Sequence, residues 1–251
     1  MRFPIQATLV AITLVALTSC VGGTPTDPPT PTSGVTSVTP SQTQAAHVPS
    51  PEELVDHLVE PSDLGPTWVL WEGFADWPSG VPGVIPEDQR TLIPQLTLCP
   101  SAGDDAVALA SGLRWEVFTQ LHHSTADEFS NMLVAQQLLL AGEPGEIAST
   151  FTTLRDGLFS CLTENLPSAD WEIGLREPLE VPEVGDARFA ERSFSFDPSG
   201  VRRETRLVLV QAGSVLLLVQ LDEILITPDS VAELTQDQVN ELIETIAQRL
   251  P

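Results

Sequence analysis

The feature that most constrains the fold is a series of three extended segments near the end of the chain. They span Arg188–Phe196, Val201–Gln211 and Ser214–Ile226, and the turn sequences Asp197–Gly200 and Ala212–Gly213 separate them. Turns this short join neighbouring antiparallel strands. The second and third segments are rich in Val and Leu, as expected for a buried or half-buried sheet. The sequence therefore predicts an antiparallel meander.

Helical patterns surround this meander. The first predicted helix begins at Pro51, with Ser50 and Glu53 as a capping box, and the last one has Thr235 and Gln238 as its caps. Further helices are predicted over Asp104–Leu113, Thr125–Leu140 and Gly145–Asn165, and further strands over Thr67–Glu72, Arg114–His122 and Trp171–Glu177. Helices that are grouped apart from a strand meander indicate an α+β fold. We expect one domain over 51–251, an antiparallel β-sheet flanked by helices, with a single cleft.

The charge of the chain excludes several functions. The formal net charge is −24 over 251 residues, so the protein repels nucleic acid and we expect no nucleic-acid partner. All 11 basic residues are arginines. The absence of lysine rules out a Schiff-base lysine and a P-loop lysine.

The first twenty residues have the pattern of an export signal. Arg2 precedes the apolar run Ile5–Leu17, which is shorter than the ~20 residues of a transmembrane helix and typical of a signal peptide. Leu17-Thr18-Ser19-Cys20 resembles the bacterial lipobox, in which the cysteine receives a diacylglyceryl group and becomes the first residue after cleavage. This resemblance implies a lipoprotein signal peptide over 1–19 and a membrane anchor at Cys20. The alternative is an ordinary secretory signal followed by an incidental cysteine.

A tether follows the anchor. Residues 20–50 are rich in Pro, Thr and Ser and show no hydrophobic periodicity. Such a segment buries too little apolar surface to offset its ordering entropy, so we expect it to be disordered or extended. It would span roughly 30 Å as a flexible coil and about 90 Å as a polyproline II helix.

Two further cysteines, Cys99 and Cys161, form a natural disulfide pair in an exported protein. A metal site and a catalytic thiol are the alternatives. Neither cysteine lies in a CxxC spacing, and Cys161 falls on the apolar stripe of its predicted helix, which favours burial over reactivity. We therefore predict a Cys99–Cys161 bridge.

From Pro51 onward the chain resembles the extracellular sensor domain of actinobacterial receptor serine/threonine kinases, which also occurs in free-standing lipoproteins. The segments that carry the resemblance are EELVDHLVEPSDLG, LTLCP followed by LRWEVF, FSCL, VGDARFAERSF, VLVQAGSVLLLVQL and the final helix. It implies an antiparallel sheet with flanking helices around a broad ligand cleft. Members of the kinase branch usually carry four cysteines in two disulfides, whereas this domain has two cysteines and no kinase domain.

No catalytic or metal-binding motif occurs, so we predict no enzyme activity, no cofactor and no metal. His122 and His123 are adjacent on a predicted strand, so they point to opposite faces and do not chelate one ion. Arg202, Arg203 and Arg206 form the one basic cluster. Arg202 and Arg206 share a face and are candidates for binding an anionic ligand; cross-strand pairing with Glu191 is the alternative interpretation.

Tryptophans crowd the region after the first helix. Trp68 suits the core, whereas Trp71 and Trp77, which lie beside Gly and Pro, are candidates for lining the ligand cleft. Core filling is the alternative for both.

The sequence thus predicts a lipid-anchored protein on the extracytoplasmic face of the cell membrane, with a non-catalytic domain that senses or binds a small envelope molecule. An envelope lipoprotein that docks to a protein partner is the alternative, and a hydrolase without a recognisable motif is the third hypothesis. A convergent polar cleft favours binding, and a flat apolar patch favours docking.

Overall fold

The computed structural model describes residues 47–71, 82–87, 90, 100–123, 131–160, 162, 172–196, 201–225 and 234–251. All of them belong to one compact unit, which spans Gln44–Pro251. The helices are α1 (Pro51–Val55), α2 (Pro61–Leu64), α3 (Asp104–Gly112), α4 (Pro144–Ser160) and α5 (Gln236–Ala247). A short 3₁₀ helix spans Pro100–Ala102.

Eight strands within these ranges form one antiparallel sheet, which confirms the predicted α+β fold. They are β1 (Trp68–Leu70), β2 (Gly83–Val84), β3 (Val117–His123), β4 (Asn131–Ala141), β5 (Glu172–Pro178), β6 (Ala187–Phe196), β7 (Arg202–Ala212) and β8 (Val215–Leu225). Their order is β1-β3-β4-β8-β7-β6-β5, and β2 also pairs with β3. The predicted meander corresponds to β6, β7 and β8.

Helices cover both faces of the sheet, and each face has its own core. On the first, which we call the α5 face, α1 and α5 pack on residues such as Val208, Leu217 and Val219. On the second, the α4 face, α4 packs on residues such as Phe118, Leu138 and Leu218. Since side chains alternate along a strand, adjacent residues of β4, β7 and β8 contribute to different cores.

The caps of the outer helices are the predicted ones. The Ser50 side chain accepts from the Glu53 N–H, and the Thr235 side chain accepts from the Gln238 N–H, each within a complete capping box. No helix in the described ranges is both long and apolar enough to cross a membrane.

The helix predicted over Thr125–Leu140 is wrong over its described part. Residues Asn131–Ala141 instead form β4, a central strand between β3 and β8. Leu133 and Ala135 are buried on the α5 face, whereas Val134 and Leu138 are buried on the α4 face. A strand that is buried on both faces has a continuous apolar run, which periodicity does not distinguish from a buried helix.

Candidate functional site

A pocket on the α4 face combines apolar walls with buried polar groups. It has a volume of about 180 Å³. The side chains that line it come from the end of β1 and from four strands: Trp71, Gln120, Met132, Val134, Gln136, Arg203, Asp222 and Ile224. We call this site the Trp71 pocket.

Backbone pairing fixes Trp71 at the rim of this pocket. Its N–H donates to the carbonyl oxygen of Gln120 at 3.0 Å, which continues the pairing of β1 with β3 by one residue. The indole ring meets the His122 ring in an edge-to-face arrangement, with centroids 5.2 Å apart. Trp71 therefore lines a pocket in the structure, and its predicted role in binding a ligand stays a prediction.

An ion pair forms the charged part of the pocket. The Arg203 guanidinium binds both carboxylate oxygens of Asp222, with Nε 3.0 Å from Oδ1 and Nη2 2.7 Å from Oδ2. Thr205 Oγ1 also donates to Oδ1, and Gln220 Nε2 donates to Oδ2, each at 2.7 Å. The Asp222 carboxylate is thus fully engaged and its charge is balanced within the pocket.

Two glutamines provide acceptors that the protein does not use. Gln120 and Gln136 are directly opposite each other on β3 and β4, and their side chains are only 6% and 8% exposed. The Oε1 atom of each is buried and accepts no hydrogen bond from the described part of the chain. A buried acceptor without a donor costs about 1–3 kcal/mol, so such atoms call for an explanation.

Arg202 and Arg206 lie on the opposite, α5 face of the sheet. There they join Arg192, Glu177, Glu204 and Glu223 in a cluster of three arginines and three glutamates, which we call the α5-face ion cluster. Arg206 Nη2 is 2.7 Å from Glu204 Oε1, a contact of opposite charges without the alignment of a hydrogen bond. The structure therefore does not bring Arg202 and Arg206 together with Trp71; the arginine beside Trp71 is Arg203.

The predicted cross-strand partner of these arginines is wrong. Glu191 is opposite Leu207 on β7 and points to the α4 face, and its partner is Arg176 of β5, at 3.1 Å. Burial raises the pKa of the Glu191 carboxyl above its ordinary value, and the charge of Arg176 partly opposes this increase. Charged side chains do pair across neighbouring strands, as this interpretation expected, but the strand register pairs Glu191 with Arg176 and not with Arg202 or Arg206.

The two adjacent histidines separate as predicted. His122 contacts Trp71 on the α4 face, and His123 contacts Trp68 on the α5 face, each with ring centroids 5.2 Å apart. Among the described residues, no group of three His, Cys, Asp or Glu side chains is placed to hold a metal ion.

Four residues of the predicted sites lie outside the described residues: Cys20, Cys99, Cys161 and Trp77. The anchor, the disulfide and the second cleft tryptophan therefore stay predictions, as do the boundaries of the signal peptide and the tether.

A second concave region lies between α4 and the edge of β6. It is an open groove of about 690 Å³, with Phe151, Arg155 and Phe159 on one side and Arg188 and Phe189 on the other. Phe159 is 61% exposed, the largest exposure among the large apolar side chains of the described residues. We call it the α4 groove.

Sequence reasoning missed Gln120, Gln136 and Asp222, and it named Arg203 in the basic cluster without selecting it as a site residue. The available signal was a polar residue inside each of several otherwise apolar strands, as in FTQL, VAQQL, LVQLDE and RRETRL. Polar residues that interrupt core strands are enriched at sites, since burial is costly for them without a partner. Only the strand register shows that these four side chains share one face.

No protein-family model matches the chain, and no curated protein matches it in sequence. Among solved structures, the extracellular domain of PknH from Mycobacterium tuberculosis is similar to it, with 13% sequence identity and a TM-score of 0.45. The match covers 81% of this chain and 97% of that domain.

Proposed function

We propose that this protein is a lipid-anchored extracytoplasmic lipoprotein whose domain binds a small ligand in the Trp71 pocket and does not catalyse a reaction. The observation that carries the proposal is a pocket in which Trp71 stands beside the polar side chains of Gln120, Gln136, Arg203 and Asp222. Convergent polar groups beside an aromatic wall are the usual composition of a small-molecule site.

The chemistry of the pocket supports binding rather than catalysis. Its one described carboxylate, Asp222, accepts three hydrogen bonds and also contacts Nη2 of its counter-ion Arg203, so it is not poised as a general base or a nucleophile. Trp71 provides apolar contact area, and the polar side chains of Gln120 and Gln136 would orient a bound ligand. These groups recognise a ligand without activating it.

A ligand screen tests binding directly. Candidate envelope compounds, including lipids, glycans and peptidoglycan fragments, are added to the purified protein while melting temperature and tryptophan emission are recorded. At a hundredfold excess over Kd, a ligand stabilises the fold by about 2.7 kcal/mol, which raises the melting temperature by roughly 2–4 °C per kcal/mol. We expect a compound that shifts both signals.

The variants Trp71→Phe and Trp71→Ala locate the site of binding. Each variant is compared with its own ligand-free melting temperature, because truncating Trp71 also removes packing. The emission change should disappear in both variants, and the thermal shift should weaken more in Trp71→Ala. An undiminished shift in both variants would place the ligand elsewhere, and a screen without any shift would contradict ligand binding.

The anchor is tested separately. Replacing Cys20 by Ser removes the sulfur that takes the lipid, so the variant should remain as unprocessed precursor or be released as soluble protein. Partition of Cys20→Ser into detergent like the wild type would contradict the lipid anchor.

Thiol titration of the unfolded, non-reduced protein should likewise find Cys99 and Cys161 unreactive if they form the predicted bridge.

Docking to an envelope protein is the second candidate function, and the exposed Phe159 in the α4 groove favours it. A photo-crosslinking residue at position 159 would yield one adduct of defined mass in cells if a partner occupies the groove. The same residue at position 196, where Phe196 is 43% exposed on β6, is the matched control. Adducts that do not differ between the two positions would contradict docking at the groove.

A further inference from the structure

The edge of β6 that borders the α4 groove has no neighbouring strand among the described residues. β5 pairs with β6 only as far as Pro178, which is opposite Glu191, whereas β6 stays paired with β7 from Phe196 to Ala187. The last hydrogen bond across this edge runs from the Leu179 N–H to the Ala190 carbonyl oxygen, at 3.0 Å. The outer edge of β6 over 187–189 is therefore open on the side of the groove.

The chain that follows β5 is held away from this edge. Val181 and Val184 pack against the core of the α5 face. The carbonyl oxygen of Glu180 accepts from Gln236 Nε2 of α5 at 3.0 Å. These contacts keep the connection between β5 and β6 on the α5 face, so it does not run alongside β6 as a further strand.

The backbone of Arg188 presents a donor and an acceptor at the open edge. Peptide groups of an antiparallel strand point alternately to its two neighbours. Ala190 bonds on the β5 side, and the register of β6 on β7 is continuous, so the N–H and C=O of Arg188 point to the same side. Neither makes a hydrogen bond within the described ranges, and Arg188 is exposed. An exposed edge of this kind accepts an added strand.

The side chain of Arg188 favours an acidic residue opposite it. Alternation puts Arg188 on the same side of β6 as Ala190, which belongs to the α5-face core. Its present partner is Glu183, at 3.4 Å, and the Glu183 side chain is 92% exposed. Such a pair contributes little to stability, so an incoming carboxylate can replace Glu183. Opposite charges on directly facing residues of two strands attract each other.

The residues that flank this acidic position would point to the α4 face. There the groove presents the rings of Phe151, Phe159 and Phe189. Phe159 is the most exposed of the three, at 61%. Apolar side chains on the added strand would cover these rings and remove apolar surface from water. The edge thus favours a segment with an acidic residue between two apolar ones.

We propose that the α4 groove binds an extended segment of an envelope protein, with the pattern apolar–acidic–apolar, as an antiparallel strand added to β6 at Arg188. The groove volume of about 690 Å³ is in the range of pockets that hold organic ligands. This inference rests on docking, the second candidate function, and is independent of the Trp71 pocket. A second copy of this chain fits poorly, because pairing two β6 edges about Arg188 would place like charges opposite each other.

A labelled peptide tests the mode of binding. The probe is the pentapeptide Thr-Ile-Glu-Ile-Thr, blocked at its C-terminus and labelled with fluorescein at its N-terminus, and anisotropy is recorded as the purified protein is added. We expect saturable binding. Replacing the central Glu by Lys should weaken it by roughly 2- to 10-fold. N-methylation of the central Glu, which removes the donor to the Arg188 carbonyl, should weaken it by at least roughly 2- to 10-fold.

Variants of the protein locate the peptide. Phe159→Ala should weaken binding by roughly tenfold, as for an aromatic contact residue, whereas Phe196→Ala, the matched control on β6, should leave it unchanged. Arg188→Glu should reverse the preference, so that the Lys peptide binds more tightly than the Glu peptide. A damaged fold does not produce such a reversal. An unchanged preference in Arg188→Glu, or equal binding of the N-methylated peptide, would overturn the inference.

The outcomes separate this inference from the functions on which it builds. If the peptide does not bind but the crosslinker at position 159 yields one adduct of defined mass, docking stands and the strand mode is wrong. An adduct with the mass of two copies of this chain would likewise overturn the acidic partner. If Trp71→Ala weakens the peptide as much as Phe159→Ala does, the peptide lies in the Trp71 pocket and the inference is wrong. If neither the peptide nor the crosslinker finds a partner, docking and this inference are both wrong.

Discussion

Two neighbouring glutamines of β4 differ in what the protein does with them. Gln137, on the α5 face, is 1% exposed; its Oε1 accepts from the Val59 N–H at 2.8 Å and its Nε2 donates to the His57 carbonyl at 3.3 Å. Gln136, on the α4 face, is almost as buried, yet its Oε1 accepts nothing from the described residues. On the α5 face the glutamine side chain connects β4 to the segment that follows α1. On the α4 face its oxygen is left without a donor.

The polar groups around these two glutamines also differ between the α5 face and the α4 face. Every carboxylate of the α5-face ion cluster has an arginine beside it, and the Glu204 and Glu223 side chains are 2% and 0% exposed. On the α4 face, the buried oxygens of two neutral amides, Gln120 and Gln136, accept no hydrogen bond from the described residues. Burial of polar groups therefore does not by itself indicate a site. A buried neutral acceptor without a donor is the more informative feature, because no ionic contact offsets the cost of its burial, whereas Glu204 Oε1 lies beside Arg206.

The largest expected effect concerns the closed face. Replacing Arg206 by Met leaves Glu204 and Glu223 buried without their principal counter-ion, which should lower the free energy of unfolding by about 3–5 kcal/mol. Chemical denaturation measures this loss. The double variant Arg206→Met, Glu223→Leu should recover part of it, since one uncompensated charge is removed.

Ligand response sharpens this first prediction. Arg206→Met should retain the thermal shift of the Trp71 pocket relative to its own ligand-free melting temperature, because Arg206 is on the other face. A variant of nearly wild-type stability that no longer responds to ligand would contradict the division between a structural and a binding face.

The second effect separates the neighbouring glutamines. Gln137→Leu leaves the Val59 N–H and the His57 carbonyl without their side-chain partner, so it should destabilise the protein by about 1–3 kcal/mol. The measurement is again the denaturation midpoint at unchanged slope. A loss below about 0.5 kcal/mol, the range of ordinary surface substitutions, would show that this tie is unimportant.

The third effect should have a different sign. Gln136→Leu replaces an unsatisfied buried amide by an apolar side chain of similar shape, so the ligand-free protein should be unchanged or slightly more stable. Ligand binding should weaken in the same variant. A gain or no change in stability together with a loss of binding is characteristic of a residue kept for function. Destabilisation as large as that of Gln137→Leu would contradict the comparison.

The meander and the outer helices could be predicted because local signals determine them. Few residues separate β6, β7 and β8 in the sequence, and capping boxes define the starts of α1 and α5. These signals depend only on residues that are close in the sequence. For the same reason the opposite placement of His122 and His123 was predictable from the alternation of a strand.

The central strand and the pocket needed non-local information. The identity of β4 depends on its burial between β3 and β8, and its composition of Leu, Ala and Gln favours a helix locally. The Trp71 pocket depends on the register that sets Gln120 opposite Gln136 and brings Asp222 of β8 next to Arg203 of β7. The Gly and Pro residues near Trp71 in the sequence were enough to make it a candidate. To choose among Arg202, Arg203 and Arg206, it was necessary to know which side chains of β7 point to the α4 face.

The smallest effect is a pH dependence of the α4 face. Burial raises the folded-state pKa of Glu191 above its ordinary 4.5, so the folded protein holds the proton more tightly than the unfolded chain. The stability from this group is therefore complete below pH 4.5 and decreases as pH rises from 4.5 to the folded pKa, by at most about 1.4 kcal/mol per pH unit. Glu191→Gln does not titrate, so the difference in unfolding free energy between wild type and variant should become less favourable to wild type over this range. In Arg176→Met, loss of the opposing cation should extend the decrease to higher pH. A difference that instead grows with pH would show that the Arg176 ion pair outweighs burial, and that this part of the α4 face is closed like the α5-face ion cluster.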